Sequence, residues 1–594
     1  MIKKISYIFD RRQKRNTVIL LFITLIGSFI ELLGVSAIMP IVTVVTDNTV
    51  IEKDTKYALI ARMFNIHDAR TYVFVMAMVL IVVYILKNVF ICMQYNLQYR
   101  FVYNNQRRLS KKMLDYYIRQ DYLYHTATNV SILQRNIASD VNFCFDVILN
   151  ILSFTNEATV CVVLVVYLMI VDTTSTLCMA GIMILFLIAF VLFFRRYSVK
   201  LGIKTRLASA AQGKWLLQSF AGIKEIKVMN KEDYFVHNYD IESCKYSELR
   251  RKQSFATIVP KPVMESVCIC GLLTIMSVRI YMGEDMAAFV PILSVFAIAA
   301  FRMLPSINRL SGCYSAIMYG KSALDSVYDD VREMNACEVV RAEENNDDYV
   351  FEIKTGIEVN NLTFKYPTGD ANVLENASFE IPKLKSTALV GPSGAGKSTM
   401  ADLLLGVLTP NSGSIEVDGV NIKDHMKAWH NKIGYIPQVI YLMDDTIRAN
   451  VAFGIPREEI DDEKVWKALK EAQLDDFVRE QPDGLDSEVG DRGVRISGGQ
   501  RQRIGIARAL YTDPEVLVLD EATSALDNET ETAVMEAIDA LHGSRTMIII
   551  AHRLTTIRNC DNIYEVKEGK VTLKDKTEVL NSIMLTGEEN KANE

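Results

Sequence analysis

In the run GPSGAGKST, Gly391, Ser393, Gly394, Gly396, Lys397, Ser398 and Thr399 have the types and spacing that grip phosphate. An apolar strand candidate at 387–390 precedes the run and the helical stretch ADLLLGVL follows it. That is the strand–loop–helix setting a phosphate loop requires. Glycines let backbone N–H groups turn inward around phosphate oxygens, and the helix N-terminus adds the positive end of its dipole. Lys397 is placed to neutralise the outer phosphates and Ser398 to ligate Mg²⁺. A second apolar strand, VLVLDE at 516–521, carries Asp520 and Glu521 at its carboxyl end, where open α/β sheets bind ligands. Asp520 suits Mg²⁺. Glu521 suits a group that orients or deprotonates an attacking water. These elements alone leave kinases, GTPases and helicases open.

The run Ile496-Ser497-Gly498-Gly499-Gln500, followed by RQRIGIARAL, narrows the choice. With it, the chain from 351 to about 570 resembles the ATP-binding cassette family. The first position of that signature is usually Leu, and Ile496 is a small change between apolar side chains. The resemblance implies roles for further residues. Tyr366 in LTFKYP matches the aromatic that stacks on adenine, and Gln438 in IGYIPQ the glutamine that senses Mg²⁺ and contacts the membrane domain. Asp527 in SALD matches the loop that crosses the dimer, and His552, ending MIIIAH, the histidine that holds the γ-phosphate. Asp491, Arg492 and Gly493 resemble an exporter-type segment that meets the coupling helices.

In this family each ATP lies between the phosphate loop of one cassette and the signature of another. Ser497, Gly499 and Gln500, at a helix N-terminus, would then serve the neighbour's γ-phosphate. The resemblance implies ATP and Mg²⁺ as cofactors, with Ser398, Gln438 and Asp520 on the metal and Glu521, His552 and Gln438 in hydrolysis. A single cassette that keeps every hydrolytic residue implies a homodimer through both domains.

Such a site needs a sheet to present it, and the rest of the chain offers more than that. With 594 residues the sequence exceeds one hydrophobic core. Long apolar runs dominate before about Gly320, and the remainder reads as an α/β domain. A net charge of −6 shows no basic face for nucleic acid. The ten cysteines are scattered, with no zinc or disulfide spacing. Six stretches, near 17–45, 71–97, 142–171, 174–194, 254–282 and 287–312, reach the ~20 residues needed to cross a bilayer. The first lacks a cleavage signal and reads as an anchor. Lys and Arg crowd the N-terminus and the segments after spans two and four, whereas VDTTST and MGED carry none. Both termini are therefore expected in the cytoplasm. The two basic connectors keep helical apolar spacing, so helices two to five should continue past the membrane and turn at short helices that touch a cytoplasmic domain.

The expected architecture is an N-terminal all-α six-helix transmembrane exporter domain (1–328), a charged linker (329–350) and a C-terminal α/β P-loop nucleotide-binding domain (351–594). Span-one SFIELLGVSAIMPIV and span-six FRMLPSINRL are similar to bacterial lipid-linked oligosaccharide flippases. The resemblance implies a bacterial inner-membrane protein carrying a membrane lipid or lipid-linked glycan. AGIKEIKVMNKEDYF is also similar but is shared by many exporters. Lys87, Lys261, Arg302 and Arg309 interrupt apolar spans in their cytoplasmic half. Intramembrane charges are costly and usually face a cavity or a partner, so a basic belt for a lipid pyrophosphate is one reading. The others are snorkelling and pairing with Glu31 or Glu265. Exporters of lipid A-like lipids, drugs or peptides share the architecture.

Overall fold

The computed structural model describes residues 1–36, 69–282, 286–341, 349–490, 494–520, 528–551 and 557–578, with 368 and 370 excepted. They belong to two compact units: Met1–Gln120 with Thr128–Val340, and Asp121–Ala127 with Arg341–Glu594.

The first unit is built from α1 (Ile2–Ile8), α2 (Arg11–Ser36) and α3 (Ala69–Ile118). A short α4 (Tyr122–Ala127), which belongs to the second unit, follows in the chain, and the first unit resumes with α5 (Val130–Arg135), α6 (Val141–Val171), α7 (Thr173–Ala221) and α8 (Ile223–Met229). The series closes with α9 (Glu232–Ile258), α10 (Pro260–Tyr281) and α11 (Met286–Arg341). Helices α3, α7 and α11 hold 50, 49 and 56 residues. At ~1.5 Å per residue each is more than twice as long as a ~30 Å hydrocarbon layer is thick. They must run on past the bilayer, as the apolar spacing of the connectors indicates. Among the described residues, Arg70–Ile118 and Val130–Ile170 are long and apolar enough to cross it. Val79, Ile81, Val82, Ile85, Leu86 and Val89 of α3 face outward, the pattern of a lipid-facing surface. The expected first span ends in residues 37–45, outside the described residues.

Local chemistry sets the breaks. Asp172 leaves α6 in an extended conformation and its carboxylate accepts from Thr174 N–H at 3.1 Å, so one residue stops a helix and caps the next. The boundary between α9 and α10 falls at Pro260, which lacks an N–H to continue the ladder. A π-turn, Asn136–Asp140, joins α5 to α6. Its buried Asp140 pairs with Arg206 of α7 and, at 3.5 Å, with Arg135.

The expected linker at 329–350 is corrected over its first half. Helix α11 continues to Arg341, because Val327, Val331 and Met334 recur at helical spacing and are buried. Residues 342–348 lie outside the described residues. The first cytoplasmic connector also departs from the expected boundary at 328: Asp121–Ala127 folds with the second unit, and Leu123 packs against that unit's core.

The second unit contains β1 (Gly356–Phe364), β2 (Leu374–Pro382), β3 (Ser386–Val390), β4 (Ser412–Val417) and β5 (Val420–Asn421). It continues with β6 (Ile433–Ile436), β7 (Val516–Asp520), β8 (Thr546–Ile550), β9 (Asn562–Lys567) and β10 (Lys570–Lys574). One antiparallel sheet has the order β2-β1-β4-β5 and the other β10-β9-β3-β8-β7-β6. In the second sheet all pairs are parallel except β10 with β9. Strands β3 and β8 are buried at every residue, as parallel strands covered on both faces must be. The helices that serve the site are α12 (Lys397–Leu404), α13 (Ile447–Val451), α14 (Gly498–Leu510) and α15 (Asn528–Asp539).

Candidate functional site

The parallel sheet carries its chemistry at one edge. The phosphate loop follows β3, Gln438 follows β6 and Asp520 ends β7, with β8 between β3 and β7. Three motifs far apart in sequence thus meet at the carboxyl ends of one sheet.

Backbone geometry makes the loop. Gly391, Gly394 and Gly396 have φ of +147°, +79° and +101°, conformations that L side chains resist. At Gly391 a Cβ would also overlap the carbonyl oxygen of Val566 on β9. Lys397 is buried, and its Nζ donates to the carbonyls of Gly391 and Pro392, both at 2.9 Å. The ammonium is therefore held inside the arc of the loop. Ser393, Gly394 and Ser398 are exposed. Helix α12 opens at Gly396 without a side-chain cap, which leaves its first N–H groups for an anion.

Tyr366 lies beyond β1, half-buried, its ring edge-on to Phe364 at 4.9 Å and its hydroxyl 3.2 Å from Thr399 Oγ1. That contact links the aromatic to the loop helix. Ser398, Gln438 and Asp520 offer hydroxyl, amide and carboxylate oxygens, a donor set that suits a hard cation. The electrostatics fit one too. Asp402 of α12, which the sequence reading did not single out, has its carboxyl pushed up to about 6 by burial and then by the charge of Asp520. Burial, Asp520 and Asp402 raise Tyr435 of β6 to about 12. Negative charge converges here, and a divalent cation would relieve it. In sequence, Asp402 showed only as one polar residue in an apolar helix.

Ser497 caps α14. Its Oγ accepts from Gln500 N–H at 3.2 Å, and Gln500 Oε1 accepts from Ser497 N–H at 2.8 Å, a reciprocal capping box. Gly499 is buried and Ile496 packs against the core. The same helix braces the loop after Gln438: Arg508 donates to Tyr441 O at 2.8 Å, and a Cβ at Gly505 would overlap Ile440. Glu521, Asp527, His552 and the segment 491–493 lie outside the described residues.

The membrane-half cations differ in setting. Lys87 is buried, with Nζ 4.4 Å from the Tyr84 ring centroid, and Lys261 is exposed. Arg309 Nη1 bonds Glu157 Oε1 at 2.8 Å, while 55% of the arginine side chain stays exposed. The sequence reading offered Glu31 and Glu265 as partners. For Arg309 the described partner is Glu157, from α6. The side chain of Arg302 lies outside the described residues.

Two family models match, "ABC transporter transmembrane region" over 17–309 and "ABC transporter" over 374–524. The chain belongs to the ATP-binding cassette transporter family, with an N-terminal helical transmembrane domain and a C-terminal nucleotide-binding domain. It is 34% identical over 361 residues to the ATP-dependent lipid A-core flippase of Photorhabdus laumondii, a match covering 60% of each chain. It is also 34% identical to the mouse mitochondrial ATP-binding cassette sub-family B member 10, covering 63% of this chain and 53% of that one. The chain thus spans about 60% or less of the length of these curated relatives. A bacterial Atm1-family ABC exporter solved with ATP bound shares the fold, with a TM-score of 0.72 and 24% identity over 98% of this chain and 99% of that one.

Proposed function

We propose that this chain is an ATP-hydrolysing exporter that works as a homodimer in a bacterial inner membrane, cassette in the cytoplasm. It moves an amphipathic lipid-linked substrate from the inner to the outer leaflet. The observation that carries the reading is the meeting of the phosphate loop, Gln438 and Asp520 at one sheet edge. The loop N–H groups and Lys397 bind the phosphates of ATP, and Tyr366 receives the adenine. Ser398, Gln438 and Asp520 would hold Mg²⁺, which would supply neutralising charge to the phosphates. Glu521 orients the attacking water, His552 holds the γ-phosphate, and Asp527 lies at the dimer seam. Ser497, Gly499 and Gln500 complete the site of the partner.

The named activity of the lipid A-core flippase relatives supports a lipid cargo. The SFIELLGVSAIMPIV and FRMLPSINRL runs favour a lipid-linked pyrophosphate oligosaccharide, with Arg302 and the exposed face of Arg309 on its phosphates and Lys87 and Lys261 flanking them. The alternative cargoes are lipid A-like lipids, drugs or peptides.

The test measures ATPase activity and flipping in the same proteoliposomes. Glu521→Gln should bind ATP and lose turnover, because an amide cannot take the proton of water. Arg302→Ala with Arg309→Ala should lose flipping of a pyrophosphate-linked lipid, normalised to folded protein. Parental hydrolysis in Glu521→Gln removes the catalytic assignment, and parental flipping in the arginine variant removes the cargo.

A further inference from the structure

A cavity of about 630 Å³ lies among α5, α6, α7, α9 and α11, wholly within the first unit. Sites for small molecules span ~300–1,000 Å³. We propose that this cavity binds a soluble aromatic phosphate ester, at a place separate from the ATP site and from Arg302 and Arg309. The proposal does not rest on the lipid-glycan cargo. Position makes the ligand a soluble one. Apart from Phe143, at the start of the third expected span, the lining residues belong to the helical extensions beyond the spans. Tyr319 lies roughly 10 Å of helix past the sixth span and Lys214 roughly 30 Å past the fourth. A bilayer headgroup does not reach the deeper walls.

Charge selects an anion. Arg206 bonds Oδ2 of the buried Asp140, and Arg135 approaches the same oxygen at 3.5 Å. One carboxylate thus serves two guanidiniums. Lys214 is exposed in the wall and pairs with no carboxylate among the described residues. Arg250, 5.9 Å from the ring centroid of the lining Tyr246, is likewise without an acidic partner among them. Asp330 of α11 is turned to Tyr117 and Asn136 and does not line the cavity. Even with Asp330 counted, four cations stand against two carboxylates. Guanidinium forks match phosphate oxygens, and the excess positive charge complements a dianion.

Shape supplies an independent reason. Gly213 lies inside α7, where a glycine weakens the helix relative to alanine. Yet a Cβ at Gly213 would meet nothing within 4 Å, so no packing among the described residues calls for the glycine. What it keeps is open volume, one residue from Lys214. Tyr246 and Tyr319 add aromatic wall, and Phe143 stands edge-on to Tyr319 at 6.0 Å. Such walls suit a flat ring, and the cations suit the phosphate attached to it.

The experiment is equilibrium dialysis of radiolabelled phenyl phosphate against the full chain in phosphatidylcholine nanodiscs, at neutral pH and without nucleotide. Saturable binding of one phenyl phosphate per chain is expected. Phenol and inorganic phosphate, each half of the probe, should compete poorly. Lys214→Gln should weaken binding at least about tenfold, the size of a charged hydrogen bond, and Lys214→Arg should keep it. Gly213→Phe should abolish binding by filling the open volume, while the chain stays folded because α7 loses a glycine. Lys397→Ala should bind as the parent does, since the phosphate loop is a different site. Absence of saturable binding, parental binding in Lys214→Gln or Gly213→Phe, or loss of binding in Lys397→Ala would each overturn the proposal. Inorganic phosphate that competes as well as phenyl phosphate would also overturn it, because the ring would then go unread. Dimers that fall apart in Gly213→Phe, measured by mass photometry, would assign the volume to a second copy of the chain and overturn it too. The cargo reading is scored separately, on flipping by the Arg302 and Arg309 variants.

Discussion

Arg508 and Asn450 are locked together: the arginine Nε donates to the asparagine carbonyl at 2.8 Å and Nη2 to its side-chain oxygen at 3.1 Å. Asn450, fully buried in α13, also accepts from Met443 N–H at 2.9 Å and donates to the carbonyls of Met443 and Thr446. The pair ties the signature helix α14 to the segment that follows Gln438.

Asn450→Ala should therefore cost about 2 kcal/mol, since it leaves the half-buried Met443 N–H and part of a guanidinium without partners. Arg508→Lys should also cost stability, because one ammonium cannot reproduce the planar fork, but less, because it keeps a charged donor there. Thermal unfolding of the purified chain measures both. The double variant should lose less than the sum of the singles. Strict additivity would show that the two side chains act separately.

Composite assembly of the nucleotide site makes a different forecast. Ser497→Arg places bulk at the N-terminus of α14, and Lys397→Ala removes the phosphate-loop cation. Each homodimer should be inactive. A purified heterodimer of the two should bind ATP at one site, formed by the intact loop of one chain and the intact signature of the other. Heterodimers that bind no nucleotide would rule out assembly in trans. Ser497→Ala, as a control, should cost about 1 kcal/mol of stability through loss of the cap.

Asp418 provides a pH dependence. It begins the two-residue turn between β4 and β5, with φ of +50° followed by Gly419 at +84°, the geometry of a type I′ hairpin. Its carboxylate accepts from Lys354 N–H at 2.6 Å, Thr355 N–H at 2.8 Å and the Thr355 hydroxyl. Burial opposes ionisation, but the bonds from Thr355, Lys354 and Gly356 outweigh it and hold the carboxyl at about 2. A depressed carboxyl stabilises the fold above its unfolded value, ~3.9, and that contribution fades as pH falls towards the folded value. Asp418→Asn keeps the turn and loses the charge. It should cost about 1 kcal/mol at neutral pH, the half-buried setting trimming a charged bond. The gap between parent and variant should close between about pH 4 and pH 2. A constant gap in acid unfolding scans would contradict the assignment.

Much of the site was legible because its chemistry is local. The loop, Asp520 and the signature each declare themselves within a few residues, and continuous apolar strands place the first two at the carboxyl ends of a parallel sheet. The partner of Arg309 was not legible, since Glu157 lies on another helix and only packing brings them together. Asp402 was missed for a related reason: its altered carboxyl comes from burial and from Asp520, neither of which spacing reveals. The charged run after 328 misled in the opposite direction. Its acidic residues look like linker, while Val331 and Met334 keep one face of α11 buried.

The placement of Asp121–Ala127 has a consequence for dissecting the chain. The cassette unit is discontinuous: seven residues of it arrive from between α3 and α5, and the half-buried Leu123 packs against its core cluster. A fragment starting at Tyr349 would fold around an apolar dent where that leucine belongs. Its unfolding would report a wounded domain rather than the native one, and a short peptide spanning 121–127 should mend it.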